Sequence, residues 1–480
     1  MTDADSPCPP NRAPRGSAGA PFPSSATRRA PAPASPAAVA DALAAARETR
    51  ALETGSGALD RTMAVFRREF PERTALVVAD PTTWAVAGER VFSQLRAAQL
   101  APAEPHLLSA PGLHAESRFV DELEAVFRRS DAIPVAVGSG TINDLVKLAA
   151  HRVGRPYLCV ATAASMDGYT AFGASITHHG SKQTFDCPAP RGVIADLDVI
   201  RRAPAAMTAS GYADLLAKVT AGADWILADA LGVEPIDARA WSIVQGGLRG
   251  ALADPAGARA GAPAAIGRLI EGLLLGGFAM QWSKSSRPAS GAEHQFSHLW
   301  DMEHHVHHGA APSHGFKVGI ATLAVTALYE EILRQPLERL DVARCCERWP
   351  TLAGQETAVA RLFAGTEFTD RALEETRVKY IDAPALARQL ERLKQVWPEL
   401  RERLEAQLLP AAELRDRLAR VGAPVAPEDI GLTPARVRAS FVRAYHIRRR
   451  FTVLDLAVRT GLLEPALDAM TAPAAPAAAP

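Results

Sequence analysis

One change of character, at Pro204, limits what this chain can fold into more than any other feature. Before it, short β-rich runs alternate with helical patterns. TALVVAD (74–80) reads as a buried strand, followed by a helix over 84–100. HLLSA (106–110) is a weaker strand, with a helix around 120–129. AIPVAVGSG (132–140) is a strong strand ending in glycines, with a helix over 143–151. PYLCVAT (156–162) and GVIADLDVI (192–200) complete the series. Such alternation predicts a parallel sheet covered on both faces. From Pro204 to Leu467 only helical patterns remain, punctuated by Gly and Pro. The expected fold is therefore an α/β nucleotide-binding domain with a parallel sheet (38–203) followed by an all-helical domain (204–467).

The bulk properties exclude several classes. A net charge of zero argues against a nucleic-acid partner, because phosphate binding needs a clustered basic excess. No apolar run approaches the roughly 20 residues that cross a bilayer. The longest candidate, 269–280, is broken by Glu271 and three glycines and reads as a buried helix. The five cysteines show neither paired metal spacing nor a disulfide framework, which suits a reducing cytoplasm. Residues 1–37 are rich in Pro, Ala, Ser and Arg and read as a disordered tail, as does 468–480. The arginines of the first tail are compatible with a transit peptide, but it lacks the apolar core of a secretory signal. The low-complexity patch 253–265 reads as a surface loop.

VAVGSGTINDLVKLAA (135–150) joins a strand to a helix. Gly138 and Gly140 can take positive φ and let a ligand approach the backbone. The free N–H groups of the helix that follows suit a pyrophosphate. The stretch is not GxGxxG, since Asn143 stands at the third glycine position, and a tight turn with no ligand is the alternative. Asp80 ends the first strong strand, where a carboxylate can accept from an adenosine ribose. It can equally cap a helix that starts at Pro81.

The segment 290–315 holds seven of the thirteen histidines. His294 and His298, four apart, share one helix face. The helix-breaking HHGAAPSHG lets His314 open a second helix that folds back against the first. Asp214, in an apolar helical stretch, needs a partner if buried. That partner is either a metal or Lys218, one turn on. Asp214, His294 and His314 give an O, N, N set with an open position, the pattern of a catalytic site. His304, His305, His307 and His308 read as a solvated loop. His298 is open between metal ligand and substrate contact, and there is no HExxH.

Taken together, GSGTINDLVK, ATAASMDGYTA, PAPRGVIADLDVI, GYADLLAKVTAGADW, SRPASGAEHQFSHLW and SHGFKVGI resemble the sn-glycerol-1-phosphate dehydrogenases. These belong to the superfamily of iron-type alcohol dehydrogenases and dehydroquinate synthases, and the bacterial AraM-like branch is the nearest match. The resemblance covers roughly residues 40–329. It implies an active site in the interdomain cleft and interconversion of dihydroxyacetone phosphate and sn-glycerol 1-phosphate with NAD(H) or NADP(H). It also implies one divalent metal per chain (Zn, Ni or Fe), a homodimer or higher homo-oligomer, and a role in phospholipid synthesis. Position by position, it puts Asp80 on the ribose and Gly138, Gly140, Thr141, Ile142, Asn143 and Asp144 at the pyrophosphate. Thr162 and Ser165 fall at the next cofactor turn. Asp167 and His298 fall at the substrate, as catalytic candidates with Asp214. The metal ligands fall on Asp214, His294 and His314. Ala171 stands where relatives often place a cofactor-contacting serine. Arg287, Lys284 and Lys317 are candidates for the substrate phosphate. Another polyol dehydrogenase, a dehydroquinate-synthase-like enzyme and a non-catalytic metal-binding protein are the alternative readings.

Overall fold

Six strands form a parallel sheet: β1 (Ala51–Gly55), β2 (Ala75–Ala79), β3 (His106–Leu107), β4 (Ile133–Gly138), β5 (Leu158–Ala161) and, after a hairpin, β8 (Gly192–Asp196). Their order is β1-β8-β5-β4-β2-β3, with every pair parallel. The hairpin is β6 (Ala174–His178) with β7 (Ser181–Phe185), a separate antiparallel pair. This computed structural model describes residues 36–178 and 181–471. Most of both expected tails lies outside these residues. The inner ends that are described are helical: Pro36–Ala45, and Leu463–Thr471, which runs past the expected end at 467.

The four central strands are buried along their length, as a sheet covered on both faces requires. One face packs on the helices Ser117–Phe127 and Gly140–Arg152 and on the long helix Pro263–Ser283. The other packs on Thr62–Glu69 and Glu89–Ala97. From β2 the chain moves outward to β3, but from β4 it moves the other way to β5. The crevice where the strand order reverses therefore lies between the carboxyl ends of β2 and β4, the place where open α/β sheets take ligands. Asp80 and the glycine turn flank it.

Beyond β8 the described residues contain helices but no further strand, and the helices after Ala205 enclose a second apolar core around Trp300, Tyr329 and Trp397. Helix Pro263–Ser283 is long and apolar enough to cross a membrane, yet 72% of its most apolar window is buried inside the protein. It is a core helix. The patch 253–265 is not a loop. Asp254 caps a short helix, Pro255–Arg259, by accepting from the Gly257 N–H, and the long helix begins at Pro263. Prolines at the first turn start both helices, so low complexity here hides helix-initiation signals.

Candidate active site

Three helices converge on one point. Asp214 lies on Ala205–Leu216, His294 on Ala292–Met302, and His314 opens His314–Leu333. One ligand atom from each lies within 4.8 Å of the others. His294 Nε2 is 3.7 Å from Asp214 Oδ1, and the His294 and His314 ring centroids are 5.3 Å apart. Glycines make this approach possible. A Cβ at Gly315 would stand 1.8 Å from the Ser210 carbonyl oxygen, and one at Gly211 would stand 1.9 Å from that of Ala164. The His314 helix thus lies directly on the Asp214 helix, which lies on the loop after β5. Asp224 ties in the His294 helix. Its Oδ2 accepts from the Ala292 N–H at 2.7 Å, and its Oδ1 accepts from Tyr329 Oη at 2.6 Å and the Val453 N–H at 2.8 Å.

Of the two partners that the sequence allowed for Asp214, Lys218 is in direct contact. Fully buried Lys218 donates to Asp214 Oδ1 at 2.7 Å and lies 2.7 Å from Asp167 Oδ2. Asp214 Oδ2 accepts from the Asp167 N–H at 3.1 Å. Burial opposes the lysine's charge, but Asp167 and Asp214 raise its pKa overall. Burial, then Asp214, raises that of Asp167. With all three ionised, this group carries one net negative charge, so the ion pair leaves a charge for a cation to meet.

The imidazoles fit that cation. Burial, then the Lys218 charge, holds His294 well below its ordinary pKa, and burial pushes His314 down to about 3. Both are neutral at pH 7, as ligation requires. His294 Nδ1 meets buried Glu293 Oε1 at 2.8 Å, which places the proton on Nδ1 and leaves the Nε2 lone pair facing Asp214. His314 Nδ1 is buried with no hydrogen-bond partner.

These depressed values predict a pH effect on the metal-free protein. The unfolded chain takes up protons at these histidines that the folded chain refuses. The stability they contribute is therefore fully present above the ordinary value of 6.5 and is lost as pH falls toward their lowered values, about 3 for His314. Asp224, pushed up to about 7 by burial and then Glu293, has the opposite slope. A His294→Asn/His314→Asn double variant isolates the histidine part. Its melting temperature should fall less steeply than that of metal-free wild type between about pH 6.5 and 4. Parallel slopes would contradict the assignment.

The profile of the iron-containing alcohol dehydrogenases matches residues 53–204. The glycerol-1-phosphate dehydrogenase [NAD(P)+] of Geobacillus stearothermophilus is 31% identical over 407 residues, 83% of this chain and 90% of that one. The chain belongs to the glycerol-1-phosphate dehydrogenase family. The enzyme of that name from Halalkalibacterium halodurans is 36% identical over 265 residues, 55% of this chain and 66% of that one. A crystal structure of a probable glycerol dehydrogenase from Sinorhizobium meliloti superposes with a TM-score of 0.54, covering 88% of this chain and 97% of that one. At 18% identity this likeness speaks for the fold alone.

Within the glycine turn the helix starts at Gly140, and Ser139 makes no side-chain cap bond. The first-turn N–H groups of Gly140, Thr141 and Ile142 therefore remain open to an anion. Neither Gly138 nor Gly140 has positive φ. Close packing explains Gly138 instead, since a Cβ there would stand 2.5 Å from Ile142 Cβ. The Asn143 and Asp144 side chains have protein partners. Asn143 donates to the Gly168 carbonyl and accepts from Tyr157 Oη, and Asp144 Oδ2 accepts from the Ser175 N–H. The Asn143 N–H is likewise taken, by the Ser139 carbonyl at 3.0 Å. Thr162 donates its N–H to the Gly138 carbonyl, and the Ser165 carbonyl accepts from Ser210 Oγ at 3.4 Å. Asp80 caps its helix with a full capping box. Its Oδ1 accepts from the Thr82 and Thr83 N–H groups, and its Oδ2 from Thr83 Oγ1. A carboxylate has about four lone-pair sites, so acceptor capacity remains. Ala171 packs its methyl against Met280 and Ala289, where a serine hydroxyl would be buried among apolar groups.

His298 is half-buried, with its ring 6.4 Å from that of His294. His304 and His308 are exposed, as expected of a solvated loop, but His305 is buried. Its Nε2 meets the Ile430 carbonyl and its Nδ1 meets Arg436, contacts to residues too distant in sequence to foresee. The phosphate candidates fare poorly. Arg287 is 2% exposed and donates to the Phe451 and Asp224 carbonyls. Lys317 is buried against Asp301. Lys284 is exposed at the left-handed end of its helix. Sequence reasoning also missed Lys147, which is buried and donates to the carbonyls of Gly168, Ala171 and Gly173, shaping the Asp167 loop. No local pattern marks such a residue; only its place on the inner face of a helix does.

Proposed function

We propose that this chain is a metal-dependent, NAD(P)-linked dehydrogenase that interconverts dihydroxyacetone phosphate and sn-glycerol 1-phosphate. The observation that carries the reading is the convergence of Asp214, His294 and His314 within 4.8 Å, in a chain of this family. Residues 38–203 would bind the nicotinamide cofactor at the switch point, and 204–467 would supply the metal ligands. Asp214, His294 and His314 would hold a divalent ion (Zn, Ni or Fe), which would supply Lewis acidity, and the nicotinamide cofactor would supply hydride.

The protein's own part is positioning, charge balance and proton supply. Glu293 orients His294, and Lys218 holds Asp214 and Asp167 in place. His298 or Asp167 would relay a proton to the reduced oxygen. The first-turn N–H groups after Ser139 receive the pyrophosphate. Asp80 would repel a 2′-phosphate, which favours NAD over NADP. A homodimer or higher oligomer and a cytoplasmic location complete the proposal.

The test is NADH and NADPH oxidation with dihydroxyacetone phosphate, run with each metal and after metal removal, with chiral analysis of the product. sn-Glycerol 1-phosphate formed only by the metal-loaded protein supports the reading. The other enantiomer, or no turnover with any metal, rejects it.

A further inference from the structure

Arg448, Arg449 and Arg450 follow one another in the segment after helix Pro434–His446. Their surroundings differ. Arg449 is exposed and neutralised, with its Nε 2.9 Å from Glu375 and an Nη 3.5 Å from Glu374. Arg448 and Arg450 are half-buried, and among the described residues no carboxylate pairs with either. Their partners are neutral. Arg448 donates to Ser286 Oγ at 2.9 Å and Ser290 Oγ at 3.4 Å. Arg450 donates to the Ser290 carbonyl at 2.6 Å, to Ser286 Oγ at 3.0 Å and to the Ser286 carbonyl at 3.4 Å.

Those serines belong to the short segment that leads into the His294 helix, and Gln295 on that helix donates to the Arg450 carbonyl at 3.3 Å. The two guanidiniums are thus fixed on the segment that enters the His294 helix, close enough that both charges lower the His294 pKa. Two cations held together with no carboxylate in direct contact are costly. Burial accordingly pushes Arg448 down to about 10, with the neighbouring Arg371 adding to the effect. Arg448 is also the leading charge, after burial, that keeps His298 neutral. Arg287 and Lys317 are taken up by other groups and Lys182 lies 3.9 Å from Asp301, whereas each of these arginines keeps guanidinium N–H groups beyond those it gives to the serines.

We propose that Arg448 and Arg450 form the seat for the phosphate of the substrate and set the preference for a phosphorylated ketone. The inference rests on the function proposed above. Guanidinium forks match phosphate oxygens in geometry and charge. The serines hold the forks in position without neutralising them.

The experiment compares dihydroxyacetone phosphate with dihydroxyacetone in the metal-loaded enzyme, for wild type, Arg448→Ala, Arg448→Lys and Arg450→Lys. Metal content and melting temperature are measured on each. Arg448→Ala should lower kcat/KM for the phosphorylated ketone about 100-fold, mostly through KM, and for dihydroxyacetone by less than about fivefold. The lysine variants should fall between, because charge survives without the fork. Equal losses on both substrates, or a KM for the phosphorylated ketone that barely moves, would overturn the proposal. If Arg448→Ala does not fold, the lysine variants decide by the same ratio. Titration calorimetry with inorganic phosphate separates this inference from the functional reading. A wild type inert to dihydroxyacetone phosphate that still binds phosphate through Arg448 rejects the reading and keeps the seat. Phosphate binding indifferent to both arginines, or absent, rejects the seat.

Discussion

Replacing His314 with alanine should remove bound metal and turnover together. Two ligands remain, Asp214 and His294, and neither compensates for the third. The Lewis acid contributes several kcal/mol of charge stabilisation in the transition state, so turnover should fall about 10³- to 10⁴-fold. Asp214→Asn should have a comparable effect by a different route. It keeps an oxygen but loses the charge, and it leaves Lys218 paired with Asp167 alone. Metal analysis per chain and NADH oxidation with dihydroxyacetone phosphate check both. His304→Ala, in the exposed part of the loop, should retain one metal per chain and full rate. A His314→Ala protein that turns over at the wild-type rate without metal would end the proposal. Several ions per chain, lost on His304→Ala, would favour a metal-storage protein.

Gly315→Ala should be a severely damaging single-methyl change. The added carbon would stand 1.8 Å from the Ser210 carbonyl oxygen, a backbone atom that no rotamer change can clear. The His314 helix must move off the Asp214 helix by more than about 1 Å, and overpacking of this kind costs about 3 kcal/mol or more. The displacement falls on the residue next to His314, so metal occupancy should drop with stability. Gly267→Ala is the control. Its Cβ would meet only Leu197 Cδ1 at 3.6 Å, an ordinary contact inside helix Pro263–Ser283. There alanine should be neutral or stabilising by up to about 1 kcal/mol. Denaturant midpoints and metal content for the two variants measure the contrast, and a Gly315→Ala protein as stable as wild type would refute the packing argument.

The buried elements were the legible ones. β2, β4, β5 and β8 announced themselves because strands covered on both faces must be apolar throughout. β1 escaped because it lies at the sheet edge, with only Ala51 of its five residues buried. The hairpin escaped because β6 alternates buried with half-buried residues over a short span and lies apart from the main sheet. At the site, the HxxxH spacing, the break after it and a lone aspartate in an apolar helix pointed to the right neighbourhood, since each is a local signal. The residues that organise the neighbourhood carry no such mark. Glu293 beside His294 reads as an ordinary helical glutamate. Arg448 and Arg450 lie more than 150 positions from the serines they hold, a pairing that only the folded chain reveals.

The Asp224 carboxylate sets the order in which this molecule can be completed. It accepts from the amide of Val453, 229 positions away, while also anchoring the helix that carries His294. A growing polypeptide therefore holds both imidazoles long before it holds the last clamp that steadies them. Rigidity reaches the cation-binding centre late in biosynthesis, only once Val453 has followed His314 out of the ribosome.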